Sequence, residues 1–111
     1  MKILPLLLFL AGCAVTPQQI MEQGTRYDAR LKLPPAKAAE CVARNAWNLN
    51  SDFSHTMLPL GEDGSMEVVL RVGSIVLTIV RLRPIADGTT ATSWWRYTPR
   101  EEWPGKVVEG C

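Results

Sequence analysis

Few side chains in this 111-residue chain are suited to chemistry. His55 is the single histidine, so a Ser-His-Asp relay would have to pass through it. Ser51, Ser54 or Ser74 would serve as nucleophile, and Asp52 or Asp63 would orient the ring. Nothing in the spacing gathers those groups around one pocket, and a lone histidine in a strand is ordinarily a structural or exposed residue. The carboxylates Glu62 and Asp63, like Glu101 and Glu102, are adjacent. Glycoside hydrolysis needs two acids about 5 to 9.5 Å apart across a cleft, which adjacency does not supply. Gly61-Glu62-Asp63-Gly64 also lacks the alternating oxygen ligands and closing Glu of a helix-loop-helix calcium site, and reads as a hairpin turn. Cys13, Cys41 and Cys111 form no Cys-x-x-Cys pair, the arrangement that lowers a thiol pKa for exchange. No catalytic or metal-ligating residue is assigned, and an enzyme is not expected.

The aromatic surplus is more suggestive. Trp94, Trp95, Tyr97 and Trp103 lie close in sequence to Arg81, Arg83, Arg96 and Arg100, and aromatic and Arg side chains dominate binding hot spots. Arg81, Trp94, Trp95, Arg96 and Trp103 therefore form the candidate contact patch. The competing reading is that the tryptophans fill a small core and the arginines line solvated strand edges.

These residues must be positioned by a small α+β fold. After Pro34-Pro35, residues 36–48 are the one convincing helix, with Ala38, Ala39, Val42, Ala46 and Leu49 on one stripe at helical spacing. Asn48, Asn50, Ser51 and Asp52 end it, because their side chains compete for local backbone hydrogen bonds. Residues 53–60 read as a strand. Residues 66–72 alternate, with Met66, Val68, Leu70 and Val72 on one side, and Gly73-Ser74 offers a two-residue turn into a return strand over 75–83.

Asp87-Gly88 is the strongest turn signal, and residues 89–98 follow as a β-branched and aromatic strand. The expectation is one N-terminal helix packed on a three- to four-stranded antiparallel meander. Ideal two-residue turns would set Leu70 opposite Leu77, Val68 opposite Ile79, and Arg81 opposite Trp94. These registers conflict, and a bulge near Arg81 or Pro84 would reconcile them. Residues 100–111 read as irregular, with a short turn at Glu101-Glu102-Trp103 and a brief edge strand at Lys106-Val107-Val108.

The first residues belong to a different class. Met1-Lys2 is a short positive start, residues 3–10 are apolar apart from Pro5, and Ala11-Gly12 supplies the small residues that a signal peptidase requires. The apolar run is too short to span a bilayer as a helix. Leu10-Ala11-Gly12-Cys13 resembles the lipobox of bacterial lipoproteins, and the chain is similar to small proteobacterial lipoproteins of unassigned role. The resemblance implies a signal peptide over residues 1–12, cleavage between Gly12 and Cys13, and a diacylglycerol and an N-acyl lipid on Cys13, with no other cofactor. Two or three acyl chains, at about 0.8 kcal/mol per buried methylene, anchor stably where one does not. Ala14, where Asp would favour inner-membrane retention, implies the periplasmic face of the outer membrane, the outer leaflet of the inner membrane being the alternative. Residues 13–33, rich in Gln and Thr, read as lipidated N-terminus and tether with a reach of about 25 Å. Ile20 or Tyr27 could dock on the domain, which spans residues 34–111.

With Cys13 committed to lipid by that resemblance, Cys41 and Cys111 remain. An exported protein with two such cysteines is expected to pair them, which ties the helix to the C-terminus. A reduced pair is the alternative. Without residues 1–12, which include Lys2, the remaining 99 residues hold eleven basic and eleven acidic side chains. That balance argues against a nucleic-acid footprint or a polybasic membrane patch. The expected function is a membrane-anchored, non-enzymatic binding or structural module that contacts a periplasmic protein or peptidoglycan. A stoichiometric inhibitor or exclusion lipoprotein acting against a lysozyme, phage or conjugative system is the alternative, and an envelope hydrolase the third class.

Overall fold

Ala38, Ala39 and Ala46, with Val42 among them, let a helix lie close on a sheet, and the second half of the fold is organised by that contact. In a computed structural model, which describes residues 16–97 and 99–111, two helices and five strands are followed by one short helical turn. They run α1 (Pro17–Gln23), β1 (Thr25–Leu31), α2 (Pro35–Leu49), β2 (Phe53–Pro59), β3 (Met66–Val72), β4 (Ile75–Ile85), β5 (Gly88–Trp95) and α3 (Trp103–Lys106). The strands form one antiparallel sheet in the order β1-β5-β4-β3-β2. The architecture is thus α+β, with five strands where three to four were expected. The expected signal peptide over residues 1–12, the Leu10-Ala11-Gly12-Cys13 stretch and the expected cleavage junction lie outside the described residues.

The additional strand and an additional helix come from the stretch read as a tether. Thr16 caps α1: its Oγ1 accepts from the Gln19 N–H at 3.2 Å, and Gln19 Oε1 accepts from the Thr16 N–H at 2.9 Å. This reciprocal pair satisfies two otherwise orphaned amides, and Pro17 pre-sets the first helical residue. Ile20 is then buried on the sheet, as one of the two docking residues foreseen. After Gly24, β1 pairs with β5 from Thr25 opposite Trp95 to Leu31 opposite Thr89. A side chain at position 24 would collide with the Ile20 and Trp95 carbonyl oxygens, so the passage from α1 into β1 requires glycine.

The sheet separates two clusters. On one face α2 buries Ala38, Ala39, Val42 and Ala46 against Val68, Leu70, Val80 and Leu82. On the other, α1 sets Ile20 against Val69 and Ile79, with Met21, Val76 and Trp94 partly covered. Neighbouring residues along β3 and β4 thus serve opposite faces, as the pleat dictates.

Both hairpin registers differ from the ideal ones. Val72 opposes Ile75 as expected, but the register shifts between Leu70 and Arg71, so Leu70 faces Thr78 and Val68 faces Val80. The irregularity therefore lies at the start of β4 rather than at Arg81 or Pro84. It returns Val80 and Leu82 to the α2 face, which is the physical reason for it. The second turn is Ala86-Asp87, because Ile85 pairs with Gly88. Gly88 sits at φ +146°, where an added Cβ would meet the Leu31 carbonyl oxygen, so glycine serves close approach to β1 rather than the turn. Arg81 consequently faces Thr92, and Ile79 faces Trp94.

The tail forms a turn of helix at Trp103–Lys106 in place of the edge strand expected at Lys106-Val107-Val108. Cys111 is bonded to Cys41 through sulfur, across 70 residues of sequence. The Leu33 N–H donates to the Cys111 carbonyl at 2.8 Å, and the Asn45 side-chain amide donates to the Val107 and Glu109 carbonyls at 3.1 and 2.8 Å. The end of the chain is therefore held by α2 at both sulfur and amide.

Candidate functional site

The tail folds back where β5 ends and β4 begins, and an aromatic groove forms at the join. Leu77, at the register shift, and Trp95, the last residue of β5, supply its floor, and Tyr97, Pro99, Arg100 and Trp103 complete it. The groove holds about 200 Å³. The Arg96 N–H donates to the Leu77 carbonyl at 2.8 Å, continuing the β4–β5 ladder past the strand end and fixing where Tyr97 starts.

Trp103 is the keystone. Its ring lies 5.6 Å from that of Phe53 at an edge-on angle of 69°, and 6.4 Å from that of Trp95 at 48°. Offset and edge-on pairs are the favourable arrangements for ring quadrupoles. The Arg100 guanidinium sits 5.7 Å above Trp103, and that of Arg96 lies 5.2 Å from the centre of the Tyr97 ring. Trp95 is buried and its Nε1–H donates to Ser93 Oγ at 3.1 Å, so its polar atom is satisfied internally. Tyr97 is 59% exposed. The groove thus has a fixed indole floor and an exposed aromatic wall with a guanidinium beside it. Such surfaces hold flat apolar or ring-shaped groups by stacking.

Of the sequence-selected patch, the structure brings together Trp95 and Trp103, with Arg96 alongside through Tyr97. It sends Trp94 and Arg81 to the opposite face. Trp94 packs beside α1 under Arg26, whose guanidinium lies 5.9 Å from its ring centre, and in place of the expected pairing of Arg81 with Trp94, Arg81 forms an ion pair with Glu67 at 3.2 Å. Trp94 and Trp95 are adjacent in a strand and must diverge. Leu77 and Pro99 carried no sequence signal for the groove. Arg100 carried one, three residues before Trp103.

The titratable groups stay dispersed. His55 is exposed on β2, and among the described residues no hydrogen bond joins it to Ser51, Ser54, Ser74, Asp52 or Asp63. Asp63 instead closes the β2–β3 turn. Its carboxylate accepts from the Ser65 N–H and Oγ, both at 3.0 Å, and these bonds hold its pKa below the usual carboxylate value. Asp28 is lowered likewise, first by the Thr92 hydroxyl at 2.7 Å and then by Arg26. Among the described residues no three His, Cys, Asp or Glu side chains gather as metal ligands, and no helix is long and apolar enough to cross a membrane.

No protein-family model matches this chain, and no curated protein and no solved structure is significantly similar to it.

Proposed function

We propose that this chain is a lipid-anchored lipoprotein of the bacterial envelope. Its helix-on-sheet domain acts as a non-enzymatic binding module on the periplasmic face of the outer membrane. The observation that carries the reading is the Cys41–Cys111 bond. Disulfides persist in oxidising compartments, which suits export, and the pairing leaves Cys13, behind Leu10-Ala11-Gly12, as the cysteine available for lipid. The aromatic groove supports a binding role, since it offers stacking surfaces with a guanidinium beside them. Its occupant is a periplasmic protein or a cell-wall component, presenting a ring to Tyr97 and Trp103.

The test is Cys13→Ser in the full chain, followed by metabolic labelling with a fatty acid and by membrane fractionation. The expected result is loss of label together with release from the membrane. Retention of label, or of membrane residence, by the variant would overturn the anchoring.

A further inference from the structure

The two edges of the sheet are defended very differently. β1, at one edge, carries Arg26, Asp28 and Arg30 within seven residues. β2, at the other, reads Phe-Ser-His-Thr-Met-Leu-Pro with no Lys, Arg, Asp or Glu, and pairs with β3 over seven positions without a shift. Met57, Leu58 and, just beyond, Leu60 are exposed. Sheets ordinarily blunt a free edge with charge, bulges or proline, and β2 has only Pro59 at its end.

The ladder shows which backbone groups of β2 are free. The Leu60 N–H donates to the Ser65 carbonyl at 2.9 Å, in register with the β2–β3 pairing. Hydrogen-bonded pairs recur every second residue in an antiparallel ladder, so Leu58, Thr56 and Ser54 also bond towards β3, and His55 and Met57 turn their N–H and C=O groups outward. The Phe53 N–H is already used by the Asn50 carbonyl at 3.0 Å, and Pro59 has no N–H. The outward edge therefore offers two N–H donors, on His55 and Met57, with the carbonyls of Phe53, His55, Met57 and Pro59 as acceptors.

This set is self-complementary. We propose that β2 is a dimerisation edge, at which two copies of the chain join antiparallel about a two-fold axis through Thr56 to make one continuous ten-stranded sheet. In that register His55 of each copy faces Met57 of the other, and four N–H···O=C bonds use every outward donor. Leu58 comes opposite Ser54, and Thr56 meets its own copy at a non-hydrogen-bonded site. An uncharged strand meets no repulsion in pairing with itself, whereas β1 would set charges against charges. The axis runs normal to the sheet, so both α2 helices stay on one face and both α1 helices on the other. On the anchoring reading above, both chains then leave residue 16 towards a single leaflet, and confinement there raises the concentration that so narrow an interface needs.

The experiment introduces Thr56→Cys into the full chain, and Arg30→Cys on the opposite edge as comparison, with mild oxidation in cells and separation without reductant. Non-hydrogen-bonded pairs hold Cα atoms about 4.5 Å apart, within disulfide range. The expected result is a disulfide dimer of this chain from Thr56→Cys and little from Arg30→Cys. Adding Met57→Lys to Thr56→Cys should cut the dimer about tenfold while the monomer keeps its fold by circular dichroism, since the outward groups of Met57 bond to nothing within one copy. Repeating the series with Cys13→Ser separates the two readings: a dimer that persists in that background keeps the edge whatever becomes of the anchor, whereas membrane residence retained by the variant sinks the anchor alone. Absence of the Thr56→Cys dimer in both backgrounds, equal yield from Arg30→Cys, insensitivity to Met57→Lys, or a bond to a different protein would each overturn the proposal.

Discussion

Beneath α2 the sheet presents Val68, Leu70, Val80, Leu82 and Ala91, and the helix answers with a stripe of small residues locked to the tail by sulfur. Beneath α1 it presents Val69 and Ile79, and the helix answers with Ile20. Met21, Val76 and Trp94 pack around these, and beyond them that second face carries polar pairs: Asp28 accepts from Thr92, Arg81 pairs with Glu67, and Arg71 donates to Thr56. Side chains of every strand alternate between the two faces, but both the strands and the helix bring far more buried apolar area to the α2 side, so one face holds the fold together and the other holds a short segment onto a finished sheet.

Removing a large side chain beneath α2 should cost most. Leu70→Ala or Leu82→Ala is expected to lower the free energy of unfolding by about 3 to 4 kcal/mol, read from urea denaturation. A loss under 1 kcal/mol would mean that α2 does not carry the core. Cys41→Ala with Cys111→Ala should cost about 4 kcal/mol in the chain-entropy model and free the tail, since a closed stretch of some 70 residues constrains the unfolded chain.

Beneath α1 the effect should be smaller and local. Ile20→Ala is expected to cost about 2 kcal/mol, with amide exchange rising first in residues 17–23 while α2 keeps its protection. Uniform loss of protection would erase the distinction between the faces. Arg81→Met should cost about 1 to 2 kcal/mol, because it leaves Glu67, whose side chain is only 13% exposed, without its partner.

The smallest effect concerns acid. The bonds from Ser65 lower the Asp63 pKa in the folded state, so the stability they contribute is complete above the ordinary carboxylate range and is lost as pH falls through the lowered native value. The Asp63 carboxyl should titrate by NMR below its value in the unfolded chain, and Ser65→Ala should move that midpoint upward.

What the sequence disclosed follows the same division. The α2 stripe, β2 to β5 and the Cys41–Cys111 pairing were legible because apolar residues recur there at one clear period, or because cysteines are rare. The segment carrying α1 and β1 was not, since it buries only Ile20 and Leu31 and its strand partner lies more than fifty residues away. A local signal did exist, in the reciprocal cap between Thr16 and Gln19 with Pro17 between them. The registers were hidden by Leu77, the extra residue at the β4 shift, and by a glycine placed for contact with Leu31 rather than for the turn. The groove was half legible: Trp95, Arg96 and Trp103 meet there or beside it, while Trp94 and Arg81 were assigned to it only because sequence neighbours look like spatial ones.

The sulfur bridge also decides how the molecule would carry a load. Tension entering at residue 16 and resisted at the aromatic groove runs along α1, β1 and the first turns of α2 to Cys41, then crosses directly to Cys111 and the tail. Strands β2 to β5 lie inside the covalent loop, and the short arm from Trp103 to Cys111 limits how far that loop can open. Residues 16–40 lie outside it and can pay out in full, an extensible length of about 80 Å at full stretch. The segment least firmly held is thus a reserve of slack in series with a domain that stays closed.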